Sequence, residues 1–105
     1  MIIVFISCQD KKQSEEIGKQ LLKARLAACV QIVPGIDSLF FWPPKDHTIS
    51  QTQEVLLLAK TLESKWDKLE KLVGILHTYD TPEIIALPVS HVSKSYFDWL
   101  AAELS

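Results

Sequence analysis

The segment Ile2–Ser7, IIVFIS, constrains the fold of this chain most strongly, because it is β-branched or aromatic on both of its faces. Successive side chains of a β-strand point to opposite sides of the sheet, so a strand of this composition is buried on both sides or lies in the middle of a sheet. The segment therefore predicts a central strand that needs cover on two faces.

Capping residues and helical periodicity predict three helices. Asp10 is placed to cap a first helix, which carries Ile17 and Leu21 on its apolar face. Ser64 is the expected N-cap of a second helix, and Ser93 that of a short third helix near the end of the chain.

Strand signals fill the intervals between these helices. Two adjacent prolines, Pro43 and Pro44, each remove a backbone donor, so the segment around them is expected to form a hairpin tip. The expected strands after the first are 27–42, which includes a turn or bulge at Pro34-Gly35, then 51–61, and a last strand after Pro82.

The first six elements match the split β-α-β, or ferredoxin-like, arrangement of an α+β protein, in one domain spanning residues 1–105. Such a sheet orders its strands 4-1-3-2 and carries both helices on one face. The other face is then open, and the hairpin 36–61 is long for a body of this size, so we expect a partner subunit to cover the face. Cys8 and Cys29 would lie on strands that are not neighbours, so no disulfide is expected between them.

Composition narrows the class of function. The formal net charge is −2, which disfavours binding to nucleic acid. No apolar run approaches the roughly 20 residues of a membrane helix, and the first residues lack the pattern of a signal peptide. With only two cysteines, we expect a cytoplasmic protein with reduced thiols and no membrane partner. No nucleophile, phosphate-binding or dinucleotide-binding motif is present, so we do not expect an enzyme.

Four segments in series resemble the CutA divalent-cation tolerance proteins. They are LLKARLAACVQIVPGIDSLFFW (21–42), EVLLLAKT (54–61), HTYDTPEIIALPV (77–89) and YFDWL (96–100). The resemblance implies a ferredoxin-like fold assembled as a homotrimer, similar to the PII signalling proteins, and a role in tolerance to copper and other divalent ions. The chain departs from the family at the hairpin, where Pro43-Pro44 replaces a usual Glu-Gly, so a site that uses the hairpin glutamate is not expected here.

His77 and Cys8 are the candidate metal ligands. His77 stands at the histidine of the family's His-Pro-Tyr motif, and Cys8 ends a strand, where a thiolate could bind copper(I). Both also have ordinary structural roles, since a histidine at a helix C-terminus complements the helix dipole and a free cysteine commonly serves as a small buried hydrophobe. One histidine and one cysteine do not complete a zinc or copper site.

Tyr79, Lys60, Trp42 and Glu83 are candidates for lining a cleft around a small ligand. Lys60 follows an apolar run, where its amine could meet an anion, and Tyr79 and Glu83 flank the tight entry into the last strand. The alternative is that Tyr79 packs over the strand end and Lys60 is a solvated strand terminus.

The sequence therefore predicts a homotrimeric divalent-cation tolerance protein with a binding or regulatory role. No cofactor is expected to be required, and copper or another divalent cation is the candidate ligand. Two alternatives stay open. One is a PII-like signalling trimer that binds a small anion or metabolite between subunits, and the other is a stable scaffold that anchors a protein partner.

Overall fold

The computed structural model of residues 1–105 has the β-α-β-β-α-β-α element order that the sequence predicts. A short 3-10 turn, Glu63–Lys65, precedes the second α-helix. The strands and helices are β1 Ile2–Cys8, α1 Lys11–Lys23, β2 Cys29–Phe41, β3 Ile49–Thr61, α2 Trp66–Leu76, β4 Ile84–Pro88 and α3 Lys94–Leu104.

The four strands form one antiparallel sheet in the order β2-β3-β1-β4, which is the predicted 4-1-3-2 order. The mostly apolar strand β1 lies inside the sheet, between β3 and β4. Strand β3 separates the strands that carry Cys8 and Cys29, and both cysteines are free thiols. No helix combines the length and the apolar character that a membrane crossing needs.

Two of the three predicted helix caps are confirmed. The Asp10 carboxylate accepts a hydrogen bond from the Gln13 backbone N–H at 2.8 Å, and the Ser93 hydroxyl accepts one from Tyr96 N–H at 3.4 Å. The predicted cap at Ser64 is wrong. The chain enters α2 through the 3-10 turn, so Ser64 lies inside that turn, and the residue before the helix, Lys65, makes no side-chain cap.

The hairpin strands differ at their ends from the predicted 27–42 and 51–61, because β2 covers Cys29–Phe41 and β3 covers Ile49–Thr61. The return strand begins at Ile49 and not at Gln51, because Ile49 pairs with Phe41 across the hairpin. The molecule measures 47 Å along its longest axis and 26 and 23 Å across, which reflects these two 13-residue strands.

A bulge interrupts the hairpin at the predicted Pro34-Gly35. Val33 pairs with Leu56 and Ile36 pairs with Glu54, so β2 takes three steps where β3 takes two. Gly35 has φ 77°, a left-handed conformation that favours glycine. The extra residue keeps Val33 and Ile36 on the same face of the sheet.

The hydrophobic core lies between the sheet and the first two helices. Alternate residues of β1 and β3 face α1 and α2, and this core includes Ile2, Val4, Ile6, Cys8, Leu57 and Ala59 of the sheet and Ile17, Leu21, Leu69 and Val73 of the helices. The remaining alternate residues form the opposite face, which is also apolar. We call it the open face and define it by Ile3, Phe5, Leu56, Leu58, Ile85 and Leu87.

Candidate functional site

A chain of hydrogen bonds joins three parts of the fold at the end of β1. It connects β1, β3 and the loop that follows α2, and we call it the Tyr79 cluster. Its members are Ser7, Glu54, His77, Tyr79 and Glu83.

His77 ends α2 and lies inside this cluster, with 8% of its surface exposed. Its ring Nε2 is 2.7 Å from the Ser7 carbonyl oxygen, and its Nδ1 is 3.1 Å from the backbone N of Tyr79. A backbone N–H can only donate, so Nδ1 accepts, and the ring proton is on Nε2, which donates to Ser7. His77 is therefore a neutral imidazole with both ring nitrogens engaged.

Tyr79 extends the cluster from the loop to the sheet. Its hydroxyl donates to Glu54 Oε2 at 3.0 Å, and its ring packs against the His77 ring with centroids 4.6 Å apart. Burial, followed by the hydrogen bond to Glu54 and the charge of that carboxylate, raises the pKa of Tyr79 to about 12. The phenol is therefore a hydrogen-bond donor at physiological pH.

Glu83 and Cys8 lie beside this arrangement. The Ser7 hydroxyl donates to Glu83 Oε2 at 2.7 Å. Cys8 is fully buried, and its thiol lies 3.8 Å from the Ile6 carbonyl oxygen. Burial, reinforced by Glu54 and Asp10, raises the pKa of Cys8 to about 11, so the sulfur is a protonated thiol.

The predicted site residues fall into separate regions of the chain. His77, Cys8, Tyr79 and Glu83 come together at the end of β1. Lys60 lies six residues from Glu54 along β3, about 20 Å away at the rise of a β-strand, with its amine 5.5 Å from the centre of the Tyr96 ring. Trp42 lies at the hairpin tip, beyond the end of β2 and half exposed. One chain therefore does not build a cleft from Tyr79, Lys60 and Trp42 together.

Sequence reasoning missed two members of the cluster, Ser7 and Glu54. A signal for Glu54 was present, because it alternates with Val55 and so shares a strand face with Leu56 and Leu58. A carboxylate beside two leucines on one strand face needs a hydrogen-bond partner when that face is covered. Ser7 gave no comparable signal, since its role depends on the position of Glu83.

The residues of one chain do not fit a resident metal centre. No three His, Cys, Asp or Glu side chains gather where they could hold an ion. A histidine ligand needs a free ring nitrogen and a cysteine ligand needs a thiolate, whereas His77 has both nitrogens engaged and Cys8 keeps its proton.

Comparison with known proteins gives matches over almost the whole chain. The sequence profile of the family described as "CutA1 divalent ion tolerance protein" matches residues 2–103. The divalent-cation tolerance protein CutA of Thermus thermophilus is 41% identical over 98 residues, which cover 93% of this chain and 92% of that protein. Protein CutA 1, chloroplastic, of rice is 39% identical over 99 residues, and the match spans only 54% of the rice protein.

Solved structures show the same fold. The CutA of Archaeoglobus fulgidus, described as a periplasmic divalent cation tolerance protein, superposes with a TM-score of 0.93 at 32% identity and with complete coverage of both chains. The ferredoxin-like order of strands and helices is thus common to this chain and to that protein.

Proposed function

The chain belongs to the CutA1 divalent ion tolerance protein family, and from this membership we propose that it works in divalent-cation tolerance as a homotrimeric binding or regulatory protein and not as an enzyme. The relatives are named as tolerance proteins and not as enzymes. Two free thiols support the cytoplasmic location that the sequence predicts.

The open face is the observation that carries the proposed assembly. Ile85 and Leu87 of β4 are 47% and 50% exposed, and Phe5 and Leu58 beside Ile85 are only partly covered. Monomeric proteins rarely leave a contiguous apolar surface of this kind in water. Burial of this face against other copies would remove it from solvent.

The sheet edges support assembly into a ring. Strands β2 and β4 are the two edges, and each has one row of unpaired backbone groups. A groove of about 540 Å³ runs beside β4 and is lined mostly by apolar residues, among them Ile2, Trp66 and Ile84. Pairing of one chain's β2 edge with the β4 edge of the next is a heterologous contact, and such contacts generate a ring when the rotation between copies closes. Three copies give the trimer that we propose.

The mass of the protein in solution tests the assembly. Light scattering during gel filtration should give about three times the 11.9 kDa chain mass. Leu87→Lys places a charge on the open face and should shift the mass towards one chain, with the helical circular dichroism retained. Ile75→Lys is the matched control, because Ile75 is 71% exposed on α2, away from the sheet, and this variant should keep the mass of the wild type. A single-chain mass for the wild type at micromolar concentration would refute the trimer.

Growth under metal stress tests the function. Cells that lack this protein should grow less well at raised copper, and the wild-type gene should restore growth. Leu87→Lys should fail to restore growth while Ile75→Lys restores it. Equal growth with and without the protein across copper, zinc and cadmium would contradict the tolerance role.

Lys60 favours a second candidate function, binding of a small anion or metabolite between subunits. Its amine is half-buried on the open face beside Tyr96, and none of the three salt bridges of the chain involves it. A thermal-shift screen with phosphate and small dicarboxylates tests this function. A stabilisation that is lost in Lys60→Met and kept in Lys19→Met would support it, and no stabilisation by any anion would count against it.

A further inference from the structure

We propose that His77 is a positioning residue and not a metal ligand: its neutral imidazole fastens the loop after α2 to the end of β1 and thereby holds the Tyr79 hydroxyl on Glu54. This inference concerns the single chain and is independent of the assembly proposed above. It assigns a different role to the two residues, His77 and Cys8, that the sequence presents as metal ligands.

The hydrogen bonds of His77 leave no coordination position. Nε2 donates to the Ser7 carbonyl oxygen and Nδ1 accepts from the Tyr79 N–H, and the ring is almost completely buried. A metal ion at Nδ1 would displace the Tyr79 N–H, and a metal ion at Nε2 would displace the Ser7 carbonyl. In either case a backbone group would lose the partner that the imidazole supplies, and proteins avoid leaving such groups unpaired away from water.

Cys8 does not assist a metal at His77. Its side chain lies on the helix-covered face of β1 within the hydrophobic core, and its sulfur faces the Ile6 carbonyl. Ser7, the residue that binds His77, projects its own side chain from the opposite face to Glu83. Cys8 thus contributes to the packing of the core, and a buried thiol of this kind is chemically inert.

The positioning role follows from what the imidazole connects. The loop 77–83 joins α2 to the edge strand β4, and His77 links the start of this loop to the central strand β1. The bond from Tyr79 N–H fixes the backbone two residues further on, and the tilted contact between the two rings fixes the phenol. The phenol then reaches Glu54 on β3, the strand next to β1, so His77 sets the position of a donor that links the loop to β3.

Nitrogen-15 NMR of the histidine rings tests the proposal without any substitution. The chain has three histidines, of which His47 and His91 are exposed. In metal-free protein His77 should show a protonated Nε2 and an unprotonated Nδ1. Addition of one equivalent of zinc(II) per chain should leave both His77 nitrogens unshifted, while any response is confined to the two exposed rings. A His77 shift that saturates at one zinc per chain, or a proton on Nδ1, would overturn the proposal.

Hydrogen exchange tests the positioning role directly. In His77→Phe the Tyr79 N–H loses its acceptor, and its exchange should be at least about tenfold faster. The Val4 N–H of the central strand β1, where the side chain is fully buried, is the internal reference for global unfolding and should show the same protection relative to the global stability of each variant. His91→Phe is the matched control and should leave the Tyr79 rate unaltered. Equal protection of the Tyr79 N–H in His77→Phe and in the wild type would refute the role.

Discussion

The two helical glycines, Gly18 and Gly74, together test how closely α1 packs on the sheet, because Gly18 faces the sheet and Gly74 is exposed. Gly74 is exposed near the end of α2, and a Cβ added there meets no atom within 4 Å. Alanine is favoured over glycine inside a helix by about 1 kcal/mol, and the effect is smaller in a last turn. We therefore expect Gly74→Ala to raise the free energy of unfolding by about 0.5 to 1 kcal/mol.

Gly18 lies in the middle of α1, where the helix crosses β2. A Cβ added there would stand 3.0 Å from Val30 Cγ2 and 3.5 Å from Leu57 Cδ1. Carbon atoms pack best at about 3.5 to 4.0 Å, so the first contact is too close and the second is ordinary. Overpacking of this kind costs about 1 to 3 kcal/mol, against the helical gain of about 1 kcal/mol. Gly18→Ala should therefore lower the free energy of unfolding by roughly 0 to 2 kcal/mol.

A double-mutant cycle separates the two contributions to Gly18→Ala. Val30→Ala removes Cγ2, so Gly18→Ala in that background should stabilise by about as much as Gly74→Ala, giving a coupling of about 0.5 to 3 kcal/mol. The assay is equilibrium unfolding in guanidinium chloride at one fixed chain concentration, because assembly contributes to stability by mass action. If Gly18→Ala stabilised the wild type as much as Gly74→Ala does, the close packing of α1 on β2 would be refuted.

Three further predictions concern single interactions. Asp10→Ala removes the 2.8 Å cap on the Gln13 N–H and should cost about 1 kcal/mol in denaturant unfolding, whereas Asp10→Asn should cost clearly less. Thr61→Val removes the buried hydroxyl that donates to the Leu26 carbonyl at 2.7 Å and should lower the free energy of unfolding by about 1 to 3 kcal/mol. An equal loss in Thr61→Ser, which keeps the hydroxyl, would contradict this explanation. The third prediction concerns the Cys8 thiol, whose pKa is raised from 9.0 to about 11 in the folded protein. The folded protein therefore holds this proton more tightly than the unfolded chain does. About 2 to 3 kcal/mol of stability is present below pH 9 and is lost as the pH rises towards 11. Between pH 9 and pH 11 the free energy of unfolding should fall by about 2 to 3 kcal/mol less in Cys8→Ala than in the wild type. Identical pH slopes for Cys8→Ala and the wild type would argue against the raised pKa of Cys8.

The elements that local chemistry determines were predictable from the sequence. A carboxylate before an amphipathic run specifies the start of α1, and Pro34-Gly35 inside a β-branched segment specifies the bulge, because each signal acts on its own backbone. The predicted cap at Ser64 was wrong because a serine before an amphipathic run fits the sequence pattern of an N-cap in every case. The pattern does not show that the chain enters α2 through a 3-10 turn.

The site was predictable only in part, since its geometry depends on pairing between distant segments. His77 and Tyr79 could be selected as polar residues at the end of an element. Their partners could not, because the Ser7 carbonyl is available to His77 only once β1 and α2 have packed together. The separation of Lys60 from Tyr79 likewise follows from the register of β3, in which Lys60 pairs with Ile3 and Cys8 pairs with Val55.

The extra residue between Val33 and Ile36 determines which face of the sheet each later residue of β2 points to. Insertion or deletion of a single residue there would exchange the surfaces of everything beyond it, so that Phe40 would turn to the side of the helices. Insertions at the tip, between Phe41 and Ile49, lie outside the paired part of both strands and leave the direction of every paired side chain unchanged. Length changes are therefore acceptable at the far end of the hairpin in any number, and at its base only in pairs.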